Sequence, residues 1–160
     1  MKARIALATS DDAECIAELA VRLTAEIVEQ SNAAAFDLDL RDTVERCRSY
    51  LASATYAVLV ARHPQSGELV GMLAMSESHA LYTEGPFGTV QELYVEPAWR
   101  SRGIGAAMVE RARAYAHGRG WKRVELCTPP LPAFERTLSF YERNGFEVTG
   151  GRKMKCVLAP

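Results

Sequence analysis

Val95-Glu96-Pro97-Ala98-Trp99-Arg100-Ser101-Arg102-Gly103-Ile104-Gly105-Ala106-Ala107-Met108 joins two kinds of periodicity. Before it, Thr89–Val95 reads as a strand. After it, Ile104, Met108, Ala112 and Tyr115 recur at helical spacing, and Gly118 stands where such a helix can end. Gly103 and Gly105 let the backbone turn and approach a ligand with no Cβ in the way. A helix opening at such a turn offers free N–H groups and the positive end of its dipole, a combination that suits a pyrophosphate. Arg100 and Arg102 add positive charge beside it. Taken alone, the stretch reads equally well as an ordinary strand-to-helix turn carrying two solvated arginines.

The flanking sequence supplies the architecture. Residues 3–8 form a short strand. Thr9, Ser10 and Asp11 offer helix caps, with Glu14 three residues after Asp11. Ile16, Leu19, Ala20, Leu23 and Ile27 predict a helix over 12–29, and Leu40, Val44, Cys47 and Leu51 a second over 38–52. Residues 55–62 and 68–75 flank Pro64-Gln65-Ser66-Gly67 and read as a hairpin. A loop follows over 76–88, marked by Gly85-Pro86 and Gly88. Beyond the central helix come a strand over 124–128, the breakers Pro129, Pro130 and Pro132, and a short helix over 134–143. A last strand over 146–158 is expected to bend at Gly150-Gly151. The order β-α-α-β-β-β-α-β-α-β predicts one α/β domain over 1–160 with a mixed sheet. The strands over 89–95 and 124–128, joined through a helix, should be parallel neighbours.

A nicotinamide-dinucleotide site is the rival reading of the glycines, with Glu125 about one unit downstream as the ribose acid. It fails because Met108 stands where a third Gly or Ala belongs and the loop from Val95 to Gly103 is too long. Only one βαβ unit is present.

Arg100-x-x-Gly103-x-Gly105, preceded by Glu92-Leu93-Tyr94-Val95-Glu96-Pro97, resembles the central acetyl-CoA motif of the GNAT superfamily of N-acetyltransferases. Ser139-Phe140-Tyr141-Glu142-Arg143-Asn144-Gly145-Phe146 resembles the later helix of that family, in the family's order and about its spacing. The resemblance covers about 55–158. It implies that Leu93, Tyr94 and Val95 lend backbone groups to a pantetheine arm. It also implies that the amides of Ser101, Arg102, Gly103, Ile104, Gly105 and Ala106 cradle the pyrophosphate, with Arg100 beside it. Splayed parallel strands would make room for the arm. The Asn common at the later helix start in relatives is missing here, and Phe134 stands near its place.

Tyr141 matches a tyrosine that many family members hold near the thioester sulfur. Acyl transfer expels a thiolate of pKa about 8–9, and a phenol of pKa about 10 can protonate it. The bland alternative is a tyrosine that packs the helix on the sheet. A protonated amine must also lose a proton before it attacks, which a carboxylate can accept; Glu92 is the candidate. In the similar polyamine acetyltransferases two acids stand together on this strand, and the first falls here on Gln91. Because side chains alternate along a strand, Gln91 and Glu92 can face one acceptor only if a bulge intervenes. An outward, solvated Glu92 is the alternative. Glu29, Asp37, Asp39 and Asp42 could attract a cationic amine, and His79, Tyr82 and Glu84 lie in a loop suited to acceptor contacts.

Composition removes other classes. With 19 basic and 20 acidic residues in 160, the chain has no electrostatic footprint for nucleic acid or an anionic membrane. No apolar run approaches the ~20 residues of a membrane span, and the N-terminus lacks a signal-peptide pattern. Cys15, Cys47, Cys127 and Cys156 show no metal-ligand spacing and read as buried, reduced thiols of a cytoplasmic protein. The expected activity is therefore acetyl transfer from acetyl-CoA to an amine on a small molecule or protein, without a metal. A non-catalytic acyl-CoA-binding regulator and a ligand-free interaction domain are the alternatives. A homodimer is implied by the resemblance alone.

Overall fold

The computed structural model describes residues 2–32 and 38–160. In chain order it holds β1 (Arg4–Leu7), α1 (Ala13–Ser31), α2 (Leu40–Leu51), β2 (Tyr56–Arg62), β3 (Leu69–Ser78) and β4 (Phe87–Val95). Then come α3 (Ile104–Gly118), β5 (Val124–Leu126) and α4 (Glu135–Arg143). Among the described residues the five strands form one sheet in the order β1-β2-β3-β4-β5. Every neighbouring pair is antiparallel except β4 and β5, which are parallel across the α3 crossover.

Local chemistry sets the helix boundaries. The Asp12 carboxylate accepts from the Thr9 amide at 3.0 Å and pairs with Arg62 of β2 at 2.5 Å, which ties the start of α1 to the sheet. Asp12, rather than Asp11, does this work. Helix α1 runs two residues past its expected end and stops at Asn32, which takes the left-handed conformation at φ 50°. The Asp39 carboxylate caps α2 by accepting from the Asp42 amide at 2.9 Å.

Two apolar layers cover the sheet. On one face Ile16 and Leu19 of α1 and Cys47 of α2 pack on Val58, Val60, Met72 and Tyr94. On the other, Ile104, Met108 and Ala112 of α3 pack on Leu59, Leu73, Met75 and Val90. Leu59, Leu73 and Met108 are almost wholly enclosed, and each such side chain contributes about 1.5–3 kcal/mol by leaving water. Gly88 sits beneath the Trp121 ring, whose carbons come within 2.4 Å of where a Cβ would stand, so this β4 position admits only glycine.

Three expectations are corrected. The strand predicted over 146–158 does not form, and Val148, Met154, Val157 and Leu158 are exposed. Its template is missing: β5 holds three residues before Cys127-Thr128-Pro129-Pro130 ends it, too short an edge for a long partner. The loop predicted over 76–88 is shorter, because β3 runs on to Ser78 and β4 begins at Phe87, paired with each other. Of the four cysteines, only Cys47 is buried; Cys15, Cys127 and Cys156 are exposed thiols. No helix among the described residues is long and apolar enough to cross a membrane.

Candidate active site

Strands β4 and β5 pair only at Gly88–Val124, Thr89–Glu125 and Val90–Leu126, and beyond Val90 they part. The Glu96 amide donates to the Val70 carbonyl of β3. By the alternation of an antiparallel ladder, Tyr94 and Glu92 also turn their backbone groups toward β3, while Val95 and Leu93 turn theirs to the open side. The Val95 carbonyl is taken by the Arg100 side chain at 2.8 Å. Leu93 is left offering an N–H and a C=O into the fork, as an added strand would require.

At the far end of that edge lies the turn. Ser101 and Gly103 both take left-handed conformations, at φ 60° and 78°, and alternation of this kind gathers backbone N–H groups into an anion-binding concavity. No side chain caps α3, so the first amides of the helix stay available. Arg100 ties the turn to both the strand end and α1. Its guanidinium grips the Glu26 carboxylate through two bonds of 2.8 and 2.7 Å and lies 5.3 Å from the Tyr94 ring centre, bracing the turn against α1. Arg102 stacks over Trp99 at 5.0 Å and is exposed.

The two glycines do different things. Gly103 is needed for its backbone angle, and a Cβ there would meet open space. A Cβ on Gly105 would stand 3.1 Å from the Phe140 ring of α4, so glycine here lets α4 pack close to α3. Gly105→Val should therefore destabilise the protein by about 1–3 kcal/mol through overpacking. Thermal unfolding reads this directly, and an unchanged melting temperature would show that α4 yields freely.

Tyr141 is buried on the α3 side, edge-on to Phe140 at 5.3 Å and Phe146 at 5.5 Å. It shares a narrow crevice with Leu73, Val90, Val109 and Val124, so it stands against the paired stretch of β4 and β5 that ends at Val90. Burial pushes its phenol up to about 12, so it stays protonated throughout the neutral range. Its hydroxyl has no hydrogen-bond partner among the described residues.

Glu92 lies on the opposite face. The register of β4 against β3 slips between Ala74–Glu92 and Met75–Val90, leaving Gln91 as an extra residue. That bulge turns both Gln91 and Glu92 to the α1/α2 side, where Gln91 donates to Ser76 Oγ at 2.8 Å. Together with Tyr50 and Tyr56, these residues line an open cleft of about 440 Å³, within the ~300–1,000 Å³ of small-ligand sites. Burial raises the Glu92 pKa, and the Tyr56 hydroxyl, 3.4 Å from its Oε2, opposes part of that rise.

Tyr50, Tyr56 and Ser76 carried no signal in the sequence. Tyr56 reads there as one more strand residue, and only strand pairing carries it to Glu92. The loop expected to touch an acceptor approaches the cleft through His79, 3.7 Å from Glu77, while Tyr82 is exposed. Asp37 lies outside the described residues, and Asp39 is the α2 cap. Among the described residues no group of three His, Cys, Asp or Glu could hold a metal ion.

The chain is 36% identical over 93 residues to glucosamine 6-phosphate N-acetyltransferase 1 of Oryza sativa subsp. japonica, a match covering 57% of this chain and 56% of the rice protein. The chain thus spans little more than half the length of that relative. Its fold is similar to an aminoglycoside acetyltransferase from an uncultured soil metagenomic sample, in complex with sisomicin (TM-score 0.75, 19% identity, 98% of this chain and 97% of that one). It is also similar to AAC(6′)-Iy in complex with the bisubstrate analogue CoA-S-monomethyl-acetylneamine (TM-score 0.78, 15% identity, 99% and 100%). Residues 54–148 match the acetyltransferase (GNAT) domain. That match takes in β2 through α4, fork and turn included, and spans more than half of the chain, which places this protein in the GNAT acetyltransferase family.

Proposed function

We propose that the protein transfers an acetyl group from acetyl-CoA to a primary amine, by direct attack of the amine on the thioester in a ternary complex. The observation that carries this reading is the fork. A free backbone edge at Leu93 leads to the uncapped start of α3, and the fork's base opens between Tyr141 on one face and Glu92 on the other. The cosubstrate supplies an activated acetyl thioester. The Leu93 backbone would bind its pantetheine arm, and the amides of Ser101 to Ala106 would receive its pyrophosphate. Glu92 would take the proton from the incoming ammonium, and Tyr141 would return one to the departing thiolate. An acyl-enzyme has little support: Cys127 is exposed and has no hydrogen-bonded base among the described residues. The acceptors named for the relatives, glucosamine 6-phosphate and aminoglycosides, are both amine-bearing sugars, in line with an amine acceptor here.

Calorimetric titration with acetyl-CoA, followed by CoA-thiol release with a panel of primary amines, tests the proposal. Tight binding with amine-dependent release is expected. Binding without release for any amine would leave an acyl-CoA-binding regulator as the better reading. No binding would remove both.

Tyr56→Phe makes a finer test of the base. Its hydroxyl holds the Glu92 pKa down, so removing it should move the acidic limb of the kcat/KM profile to higher pH. Turnover at neutral pH should fall about 2- to 10-fold, the span of one hydrogen bond. A limb that stays in place would separate Glu92 from the proton transfer.

A further inference from the structure

The acceptor cleft has a charge character that narrows its substrate. Its walls are hydroxyl groups, an amide and carboxylates: Tyr50, Tyr56 and Ser76, then Gln91, then Glu77 and Glu92. Among the described residues no lysine or arginine lines it. The arginine that contacts a lining carboxylate is already occupied. Arg119 is bound at 2.9 Å to Glu77, whose carboxylate also accepts from Trp121 at 2.8 Å, and His79 stands 3.7 Å from the same group. Arg48 is exposed on α2.

A phosphate ester would carry about −1.5 to −2 charges at neutral pH. In this cleft it would meet the half-buried Glu92 carboxylate with no guanidinium or ammonium to answer it. An ammonium group meets that carboxylate favourably, and neighbouring hydroxyls find partners in Ser76, Gln91 and the two tyrosines. Accepting acetyl transfer as the reaction, we infer that this cleft takes cationic, hydroxyl-bearing amines that carry no phosphate and discriminates against their phosphate esters.

Two matched pairs test it: glucosamine against glucosamine 6-phosphate, and ethanolamine against O-phosphoethanolamine. CoA-thiol release should give a kcat/KM for the phosphate-free partner higher by roughly 10- to 100-fold, the range of one charge-assisted contact. Calorimetric binding of each amine to the CoA-saturated protein should show the same order. Ser53→Arg places a cation at the cleft rim on an exposed side chain, and should narrow the ratio by about tenfold. Equal values, or preference for either phosphate ester, would overturn the inference while leaving acetyl transfer intact. Preferential binding of the phosphate-free amines without turnover would support the inference and overturn the catalytic reading. If none of the four amines bound, the cleft would not be the acceptor site and the inference would fall with it.

Discussion

Tyr141→Phe is expected to lower the single-turnover rate by about 100- to 10,000-fold, the usual contribution of a general acid. The substitution removes only the hydroxyl. The ring keeps its edges against Phe140 and Phe146 and its place in the crevice at the fork. Because that hydroxyl has no hydrogen-bond partner among the described residues, no bond is broken and the melting temperature should hold. Acetyl-CoA affinity should also hold, since the turn and the Leu93 edge are untouched. The pH dependence is distinctive. With the phenol pushed up to about 12, the parent should show no loss of rate from Tyr141 ionising across the neutral and mildly alkaline range. A parent rate in the variant would make Tyr141 a packing residue, and an earlier alkaline fall that vanished in the variant would mean that the bound phenol titrates lower.

Glu92→Gln should cost turnover about 100- to 10,000-fold near neutral pH, where amine acceptors are protonated and need a base. The loss should shrink as pH rises and free amine accumulates. In the parent, kcat/KM should rise with pH as Glu92 ionises, at a higher pH than for an ordinary glutamate because burial raises its pKa. The same burial gives a stability prediction of definite sign. A carboxyl whose folded pKa exceeds its unfolded value binds more protons when folded, so stability falls as pH rises through that window. The ionised Glu92 is therefore a liability to the fold at neutral pH, and Glu92→Gln should melt at a slightly higher temperature there. Thermal scans at pH 5 and pH 8 check this, because the gain should be larger at pH 8. A uniform activity loss at every pH would make Glu92 a structural residue, and an inert variant would move the base to solvent or to another group.

How far the site was legible can be followed through particular residues. The turn from Arg100 to Gly105 and the Phe140-Tyr141 pair are local patterns, and they sufficed to suggest the family and to choose Tyr141. Glu92 was nameable as an acid on the right strand, but whether it shared a face with Gln91 depended on a bulge that no composition of β4 announces. The bulge shows only in the pairing of β4 with β3, where the register shifts by one residue. In the sequence Arg100 reads as a phosphate contact because its motif stands beside the glycines; its grip on α1 is not visible there. Its partner Glu26 lies 74 residues earlier, on the helix that packs across the sheet.

The sequence by itself determined the order of the elements from β1 to α4, the β2–β3 hairpin, the parallel pairing of β4 with β5 and the place of the turn. These follow from short-range periodicity, glycine and proline positions and the handedness of a crossover, all of which act within a few residues. Only the tertiary structure decided that β4 and β5 part after Val90, that Tyr56 reaches Glu92, and that a Cβ on Gly105 would meet the Phe140 ring. It alone also showed that 146–158 lacks a strand partner. Each of these turns on a group brought near from a distant segment, and the free energy of such a meeting is written in neither segment alone.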